Sequence, residues 1–397
     1  MRVSGERAAV RRPPGRRGLI LQVAGTRFHR YGYHQTSMAE VAAEVGITAP
    51  ALYRHFRGKP ELLRQVLLRE LAALRSAARA GAAGPGPLCA ELAAAAVDHR
   101  GFGTLWQREA RLLPAAQRAA LRRELRAQVA EAAGVLGAAR PQLPREDAEL
   151  LVWSVLSAYG SLSYHTFAPP RRRFVQLLRG IGEDLLGAEL SGLSEDPQPS
   201  AGAAESALPE SRREELLVAA VRLFHERGFD NVSTDQLGAA VGIAGPSVYK
   251  HFATKAELLA AALVRSRERL WQEVVGAVTA GGLEAGLRAY VDFARRHSHY
   301  LGAMLSETER LAEPDRRVAV DFRRDFLRVW VGSLQRARPE FDSAEARIRV
   351  HAMFALVNDG VRNRPHSLRP ELGECLVLLG RTVLGVPRPV DREIAGG

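Results

Sequence analysis

Apolar residues recur at spacings of three and four along most of the chain, which is the periodicity of helices that bury one face. The first such stripe consists of Leu19 or Ile20, Val23, Ala24 and Phe28, and it ends at Gly32, a residue type that favours a helix stop. Residues that favour helix, above all Ala, Leu, Arg and Glu, are abundant, and no segment shows the alternation typical of strands. The pattern predicts an all-α protein.

Two shorter helices are predicted directly after the first one. Ser37 is a typical N-cap for the second helix, Gly46 allows a tight turn after it, and Thr48 is a typical N-cap for the third. Pro50 lies in the first turn of the third helix, where a missing backbone N–H removes no hydrogen bond. This succession predicts a helix-turn-helix unit.

The same succession occurs again 196 residues further along the chain. Residues 18–63 align with residues 214–259 without a gap, and 18 of the 46 pairs are identical, far more than unrelated stretches share. In the second copy Gly228 stops the first helix, Ser233 caps the second and Pro246 begins the third. The chain is therefore predicted to contain two helix-turn-helix units.

Composition changes mark the domain boundaries. Residues 191–211 are rich in Ser, Pro, Ala and Gly and lack apolar periodicity, which predicts a linker. The first 17 residues contain six arginines and predict a flexible basic arm. The resulting division is an arm at 1–17, a helix-turn-helix domain at 18–74, a helical domain at 75–190, the linker, a second helix-turn-helix domain at 212–270, a second helical domain at 271–387 and a tail at 388–397.

The third helix of each copy has small, aromatic and basic residues on its predicted outer face. In the first copy these are Ala49, Ala51, Tyr53, Arg54 and His55, with Lys59 opening a fourth helix. A face kept only for solubility would favour Glu and Lys, whereas small residues beside Tyr, Arg and His suit the approach to a DNA groove. The corresponding residues of the second copy are Gly245, Ser247, Tyr249, Lys250 and His251, with Lys255 opening the fourth helix.

The formal net charge of +12 favours a polyanionic partner, and DNA, RNA and an anionic membrane surface all qualify. Because no apolar stretch of about 18 residues and no signal-peptide core occurs, we expect a cytoplasmic, nucleoid-associated protein without a membrane partner. Cys89 and Cys375 are far apart and outside any metal-binding spacing. His297 and His299 lack a third ligand, so we expect no metal ion.

Two segments resemble the recognition signature of TetR-family transcription regulators. Residues 46–63 read GITAPALYRHFRGKPELL, and residues 242–259 read GIAGPSVYKHFATKAELL. The resemblance implies two tandem TetR-like repeats, each with a three-helix DNA-binding domain and a helical ligand-binding and dimerisation domain. It further implies a sequence-specific regulator that binds double-stranded DNA, is not an enzyme and needs no cofactor.

The resemblance assigns DNA contacts to both copies by position. For the first copy the implied contacts are Ser37, Thr48, Ala49, Pro50, Tyr53, Arg54, His55 and Lys59. For the second copy they are Ser233, Gly245, Pro246, Ser247, Tyr249, Lys250, His251 and Lys255. Residues of the short third helix are implied to approach bases, whereas phosphates are implied for Ser37, Tyr53, His55, Lys59, Ser233, Tyr249, His251 and Lys255.

The two reading faces differ, since Arg54 corresponds to Lys250 and Ala39 to Asp235. A guanidinium can donate two parallel hydrogen bonds to guanine, which an ammonium cannot do in the same form. We therefore expect two different half-sites. A linker with an average span of about 25 Å can join the copies within one unit, so the monomer is predicted to act as an intramolecular pseudo-dimer on a non-palindromic operator, with further dimerisation left open.

In the TetR family the middle helices enclose an effector pocket. The resemblance therefore implies a small apolar or lipid-like effector, with release of a repressor as the family default. Trp106 begins a polar-aromatic run at 106–111 and is the candidate ligand-binding residue. An ordinary core tryptophan beside surface ion pairs is the alternative interpretation.

Other classes of protein fit the sequence less well. No GxSxG, P-loop or Rossmann pattern occurs, which disfavours an enzyme. RNA-binding proteins typically present aromatic platforms or basic sheets, and the helical pattern predicts neither. The remaining alternative is a non-specific, nucleoid-type DNA-binding protein without an effector response.

Overall fold

A computed structural model describes residues 15–196, 211–362 and 366–387. Within these ranges every regular element is a helix, which confirms the predicted all-α class. The predicted tail at 388–397 and most of the predicted arm lie outside the described residues. The first helix begins at Arg16, inside the stretch predicted as an arm.

The first half begins with a bundle of three helices, and further helices follow it. Its helices are α1 (Arg16–Tyr31), α2 (Met38–Val45), α3 (Ala49–His55), α4 (Lys59–Ala80), α5 (Pro85–Asp98), α6 (Phe102–Thr104), α7 (Ala115–Ala139), α8 (Arg145–Gly160) and α9 (Arg171–Leu186). α6 continues as a π-helical turn at Leu105–Glu109. α4 runs through the domain boundary predicted at residue 74, so one continuous helix connects the DNA-binding bundle with the rest of the half.

The second half repeats this order with two local differences. Its helices are α10 (Arg212–Arg227), α11 (Thr234–Ala240), a 3₁₀ helix (Gly245–Lys250), α12 (Lys255–Leu270), α13 (Gly276–Arg296), α14 (Ser298–Ser306), α15 (Glu313–Ala337), α16 (Ser343–Arg362) and α17 (Leu372–Leu384). A π-helical turn joins α12 to α13, and Gly282, with φ of 74°, interrupts α13. The short third helix predicted for this copy is present as a 3₁₀ helix, whereas its counterpart α3 is an α-helix.

The helix starts and stops lie where local sequence signals predict them. Ser37 and Ser233 each form a capping box at the start of α2 and α11, accepting a hydrogen bond from the backbone N–H three residues on. Thr48 accepts a hydrogen bond from the N–H of Ala51 and caps α3. Gly46 ends α2 in the left-handed conformation with φ of 73°, which a residue with a Cβ rarely adopts.

Each DNA-binding bundle has its own small core, whereas the remaining helices share one large core. Phe28 and Phe56 are fully buried in the first bundle, and Phe224 and Phe252 occupy the same places in the second. The large core contains residues of both halves, because α8 packs against α16 and α9 against α17. The last helix pairs of the two halves therefore form a four-helix interface within one chain.

The start of the predicted linker is fixed to the second half. The Asp196 carboxylate accepts hydrogen bonds from the N–H groups of Gly373 and Glu374 at 2.7 and 3.0 Å, and it pairs with Arg295 at 3.1 Å. It thus satisfies free N–H groups at the N-terminus of α17. Residues 197–210 lie outside the described residues.

Candidate DNA-binding surface

The buried side chains of α3 determine which of its residues reach the surface. Leu52 and Phe56 lie in the core of the first bundle, so the intervening Tyr53, Arg54 and His55 are directed outward. The Tyr53 side chain is 53% exposed, which is unusual for an aromatic residue. Pro50 is also exposed and Ala49 is half-buried, so most of the predicted groove-facing residues form one continuous surface.

An arginine outside the predicted set holds the far end of α3. Arg17 donates a hydrogen bond from Nη1 to the carbonyl oxygen of His55 at 3.1 Å, and its guanidinium lies 4.5 Å from the centre of the Phe56 ring. Arg213 lies at the same distance from the Phe252 ring in the second copy. Sequence reasoning placed Arg17 in the flexible arm, although extending the alignment of the copies by one residue pairs it with Arg213.

Lys59 and Lys255 have internal partners that the sequence did not indicate. The Lys59 ammonium donates to the carbonyl oxygen of Thr36 at 2.9 Å and lies 4.4 Å from the centre of the Tyr33 ring. The Lys255 ammonium donates to the carbonyl oxygens of Phe229 and Val232 at 2.8 and 2.9 Å. Burial of these ammonium groups lowers the pKa of both lysines. Each lysine thus holds the loop that precedes the second helix of its bundle.

The serine caps are likewise engaged within their bundles. Ser37 Oγ donates to the Glu40 carboxylate at 2.9 Å and accepts from the Glu40 N–H at 3.1 Å. Ser233 Oγ accepts from the N–H of Gln236 at 3.1 Å. Both serines are exposed at the starts of α2 and α11. They position these helix starts whether or not a phosphate is bound. The helices that follow, α3 and the 3₁₀ helix at Gly245–Lys250, are called the recognition elements below.

The second copy has a different recognition element, and two residue differences accompany it: a larger residue on α11 and a smaller one at the start of the 3₁₀ helix. Gly245 is buried, and a Cβ there would lie 1.8 Å from Oδ1 of Asp235 on α11. In the first copy the corresponding positions are Ala39 and Ala49. The Asp235 carboxylate thus occupies the space that a Cβ at position 245 would need. The element that begins at Gly245 is a 3₁₀ helix, whereas the corresponding α3 of the first copy is an α-helix. Gly245 packs inside the bundle and does not line the predicted groove face.

The exposed residues of the second element nevertheless match those of the first. Tyr249 is 54% exposed, and Pro246 and Lys250 are also exposed. Ser247 and His251 are half-buried. The second surface therefore retains a tyrosine and a cation, with a carboxylate added beside them.

Five charged residues connect the two bundles, and we call this group the arginine bridge: Arg108, Glu109, Arg111, Glu307 and Glu309. Arg108 donates to the carbonyl oxygens of Phe28 and His29, both at 3.1 Å, at the C-terminal end of α1. Cations favour this end of a helix because its carbonyl groups are unpaired. Arg108 also pairs with Glu309 of the second half at 2.8 Å.

Arg111 makes the corresponding contacts across the halves. It donates to the carbonyl oxygens of Phe224 and His225 at the end of α10, each at 3.3 Å, and pairs with Glu307 at 2.5 Å. Both arginines belong to the first half of the chain, yet Arg108 binds the end of α1 in the first bundle and Arg111 binds the end of α10 in the second. Burial raises the pKa of Glu109, while the adjacent Arg108 opposes this shift.

An apolar depression lies in the first half, away from the recognition elements. It is shallow, open to solvent and lined mainly by Leu74, Leu92, Phe102, Leu156 and Tyr159. Arg100 lines it as well and donates to the carbonyl oxygens of His165 and Phe167 at 2.9 and 3.0 Å. Trp106 does not line this depression, although its ring centre lies 5.8 Å from that of Phe102.

The histidines considered as metal ligands have separate surroundings. His299 lies against His225, with ring centres 5.6 Å apart, whereas His297 contacts Phe293 and Tyr300. In the part of the chain that the structure describes, no three His, Cys, Asp or Glu side chains are grouped to bind a metal ion. Among the same residues, no helix has the length and apolar character needed to cross a membrane.

Comparison with known proteins identifies the bundles. The family model described as bacterial regulatory proteins of the tetR family matches residues 20–66 and again residues 216–262. A relative among characterised proteins is the HTH-type transcriptional activator FasR of Mycolicibacterium smegmatis, which is 26% identical over 166 residues, covering 41% of this chain and 75% of FasR.

Solved structures with a similar fold include a TetR-family transcriptional regulator from Bordetella parapertussis, with 17% identity over 43% of this chain and 94% of that one, at a TM-score of 0.40. Another is the ketosteroid transcriptional regulator KstR2 of Mycobacterium tuberculosis, with 24% identity over 44% and 94% of the two chains, at a TM-score of 0.39.

The two bundles, with their exposed recognition elements, define a helix-turn-helix DNA-binding protein with two reading heads. The chain carries in tandem two segments that match the model of the tetR family of bacterial regulatory proteins, as the signature motifs predicted.

Proposed function

We propose that one copy of this chain binds one non-palindromic operator as an intramolecular pseudo-dimer. Packing of α8 and α9 against α16 and α17 supports this proposal, because the helix pairs through which typical family members dimerise are already covered within the chain. Both bundles present an exposed tyrosine and a neighbouring cation. Each bundle is proposed to read one half-site.

The arginine bridge is the observation that carries this proposal. Arg111 of the first half holds the end of α10 in the second bundle, and Arg108 holds the end of α1 in the first. His34 of the first bundle also lies 3.5 Å from Asp230 of the second. Because the arginine bridge holds both DNA-binding bundles, the distance between the bundles is fixed within a single chain.

Different half-sites follow from the unequal heads. The first head offers Arg54 for guanine, whereas the second offers Lys250 together with the Asp235 carboxylate. A carboxylate can accept a hydrogen bond from the amino group of cytosine and repels phosphate. We propose contacts to bases or phosphates for the exposed residues Pro50, Tyr53, Arg54, His55, Pro246, Tyr249 and Lys250, with Ser247 and His251 at the edge.

The proposed effector is a small apolar or lipid-like molecule that binds in the depression of the first half. Apolar side chains line most of this depression, and Phe102, which is one of them, precedes the π-helical turn with Arg108 and the following 3₁₀ turn with Arg111. A ligand there would act on the arginine bridge through a short covalent path. We propose that the protein represses transcription and that the effector releases it from DNA. Activation of transcription is the second candidate, because the relative FasR is a transcriptional activator.

Selection of bound DNA followed by stoichiometry tests the central claim. Duplexes selected from a random pool should contain two dissimilar half-sites at a fixed spacing. Light scattering of the purified complex should then give one chain of 43.3 kDa per operator. An operator that is occupied only by a two-chain assembly would contradict the pseudo-dimer, and uniform salt-sensitive coating of DNA would support the non-specific alternative.

Matched operators sharpen this experiment. One duplex carries both half-sites, and two others carry either half-site twice. The asymmetric duplex should bind at least about tenfold more tightly than either symmetric one, since each mismatched contact costs about 1–3 kcal/mol. Equal affinity for all three duplexes would show that the two heads read the same sequence.

A further inference from the structure

Each half anchors its reading head with an equivalent glutamate. Glu109 accepts a hydrogen bond from the N–H of Tyr33 at 3.2 Å, and Glu307 accepts one from the N–H of Phe229 at 3.3 Å. Tyr33 and Phe229 correspond at the offset of 196 residues between the copies. A 3₁₀ turn of three residues directly follows each glutamate. Glu109 and Glu307, at an offset of 198, therefore hold equivalent places in the two halves.

The residue directly before this glutamate differs between the halves. In the first half it is Arg108, which donates to Oε1 of Glu109 and to two carbonyl oxygens at the end of α1. In the second half it is Ser306, which donates to Oε1 of Glu307 at 2.9 Å. A serine hydroxyl has a single hydrogen to donate, so Ser306 cannot serve the glutamate and a helix end together as Arg108 does. The second half thus lacks an arginine where the first half uses one.

Arg111 of the first half makes the contacts that an arginine at this position would make. It donates to the carbonyl oxygens of Phe224 and His225, and it pairs with Glu307. At the offsets of 196 and 198 these three groups are the equivalents of those that Arg108 binds in its own half. Both guanidiniums also lie beside the glycine that stops the first helix of the bundle, 3.8 and 4.0 Å from the position that a Cβ there would take.

The charged residues of the second half do not replace Arg111. Glu309 has the position equivalent to Arg111, and it pairs with Arg108 at 2.8 Å. Arg310, the next residue, pairs with Asp230 at 2.6 Å. In the part of the chain that the structure describes, no cation of the second half donates to the two carbonyl groups at the end of α10. Two second halves placed against each other would therefore bring carboxylates together and leave both ends of α10 without a cation.

We propose that Arg111 is the positioning residue of the second reading head, and that the second half requires a first half as its partner. The first head is held from within its own half by Arg108, whereas the second head is held across the interface. Loss of Arg111 would remove the cation from the end of α10 and the counter-charge from buried Glu307 at once. The inference rests on the proposed function only in that the positioned bundle reads a half-site.

Amide hydrogen exchange of the full chain without DNA tests the positioning. Arg111→Met should raise exchange rates at residues 226–232 of the second head at least about tenfold and leave residues 30–36 of the first head within about threefold. Adding Ser306→Arg should return the rates at 226–232 to within about threefold of the wild type, because it places an arginine before Glu307 as Arg108 precedes Glu109.

A matched control adds the same charge elsewhere. Val320 is 46% exposed on α15, so Arg111→Met/Val320→Arg should exchange as fast as Arg111→Met alone. If Arg111→Met does not fold, Arg111→Lys with and without Ser306→Arg takes its place, since an ammonium cannot reproduce the several directed bonds of the guanidinium. Equal acceleration in both heads, rescue by Val320→Arg or failure of Ser306→Arg to rescue would each overturn the proposal.

DNA binding of the same variants tests the proposed function separately. With duplexes that carry either half-site twice, Arg111→Met should weaken binding of the second half-site at least about tenfold more than that of the first, and Ser306→Arg should restore it. Exchange rates that follow the expectation while binding of both duplexes stays unchanged would support the positioning by Arg111 and contradict DNA reading by the second head.

Discussion

Arg111 of the first half forms an ion pair with Glu307 of the second half, with 2.5 Å between Nη2 and Oε1. The Glu307 side chain is 1% exposed and accepts a hydrogen bond from the N–H of Phe229 at 3.3 Å. Arg111 in turn donates to two carbonyl groups at the end of α10. This one pair thus connects the helices behind the first reading head with the backbone of the second head.

Removal of the arginine should be costly because it leaves a buried carboxylate unpaired. For Arg111→Met we expect the free energy of unfolding to fall by about 3–5 kcal/mol. Denaturant unfolding monitored by circular dichroism measures this loss. The double variant Arg111→Met/Glu307→Gln should lose less than the sum of the two single variants.

A matched control is Arg145→Met. Arg145 is 80% exposed and pairs with Glu149 on its own helix, so its replacement should change the free energy of unfolding by no more than about 0.5 kcal/mol. If Arg111→Met unfolds like this control, the bridge does not hold the second head.

The close approach of Asp235 to Gly245 predicts that the destabilising effect of a substitution at Gly245 is relieved by a second substitution at Asp235. Gly245→Ala places a Cβ against the Asp235 carboxylate and should destabilise the second head by about 1–3 kcal/mol. Asp235→Ala/Gly245→Ala recreates Ala39 and Ala49 of the first copy and should recover most of the loss. Binding of a duplex carrying the second half-site, together with thermal unfolding, measures both effects.

Gly134→Ala controls for the general effect of removing a glycine. Gly134 lies on the exposed face of α7, and a Cβ added there would have no neighbouring atom within 4 Å, so alanine should stabilise the helix by about 0.5–1 kcal/mol. A Gly245→Ala variant that is equally stabilised would show that Asp235 moves aside at no cost.

The salt dependence of DNA binding distinguishes two possible roles of Lys59, a structural contact within the bundle and a contact with a DNA phosphate. Because its ammonium donates to the Thr36 carbonyl, we expect Lys59→Met to lower thermal stability and weaken binding of the first half-site without changing the salt slope. Lys255→Met should do the same for the second half-site. A slope that falls by about one unit would instead establish the direct phosphate contact that family resemblance implies.

The junction between the halves predicts a dependence of stability on pH. The rings of His165 and His351 lie 4.8 Å apart, and burial lowers the pKa of His165 to about 4 and that of His351 to about 3. Both are neutral in the folded chain, whereas the unfolded chain protonates near pH 6.5. Stability from this pair is complete above pH 6.5 and falls as the pH decreases toward 4.

Thermal unfolding between pH 7.5 and 5.5 measures this loss. His165→Gln/His351→Gln should show a flatter dependence of Tm on pH than the wild type. An unchanged profile in the double variant would assign the acid sensitivity to other groups.

The sequence alone was sufficient wherever a local signal determines a local structure. The Ser37 cap, the left-handed Gly46 and the exposed Tyr53 each depend on neighbours within a few residues, and the alignment of the two copies shows the same signals twice. Periodicity likewise predicted the all-α class, because helix spacing is a property of the chain itself.

Only the tertiary structure revealed which distant groups share a space. Nothing near Arg111 in the chain indicates that its partner is Glu307, because that pairing arises from how the two halves pack. Lys59 has the residue type of a phosphate ligand, yet the carbonyl it binds comes from a loop 23 residues away. The 3₁₀ helix of the second head depends in the same way on the close approach of Asp235 to Gly245. Packing thus decided how the heads are held and where charge is buried, whereas the sequence determined that there are two heads.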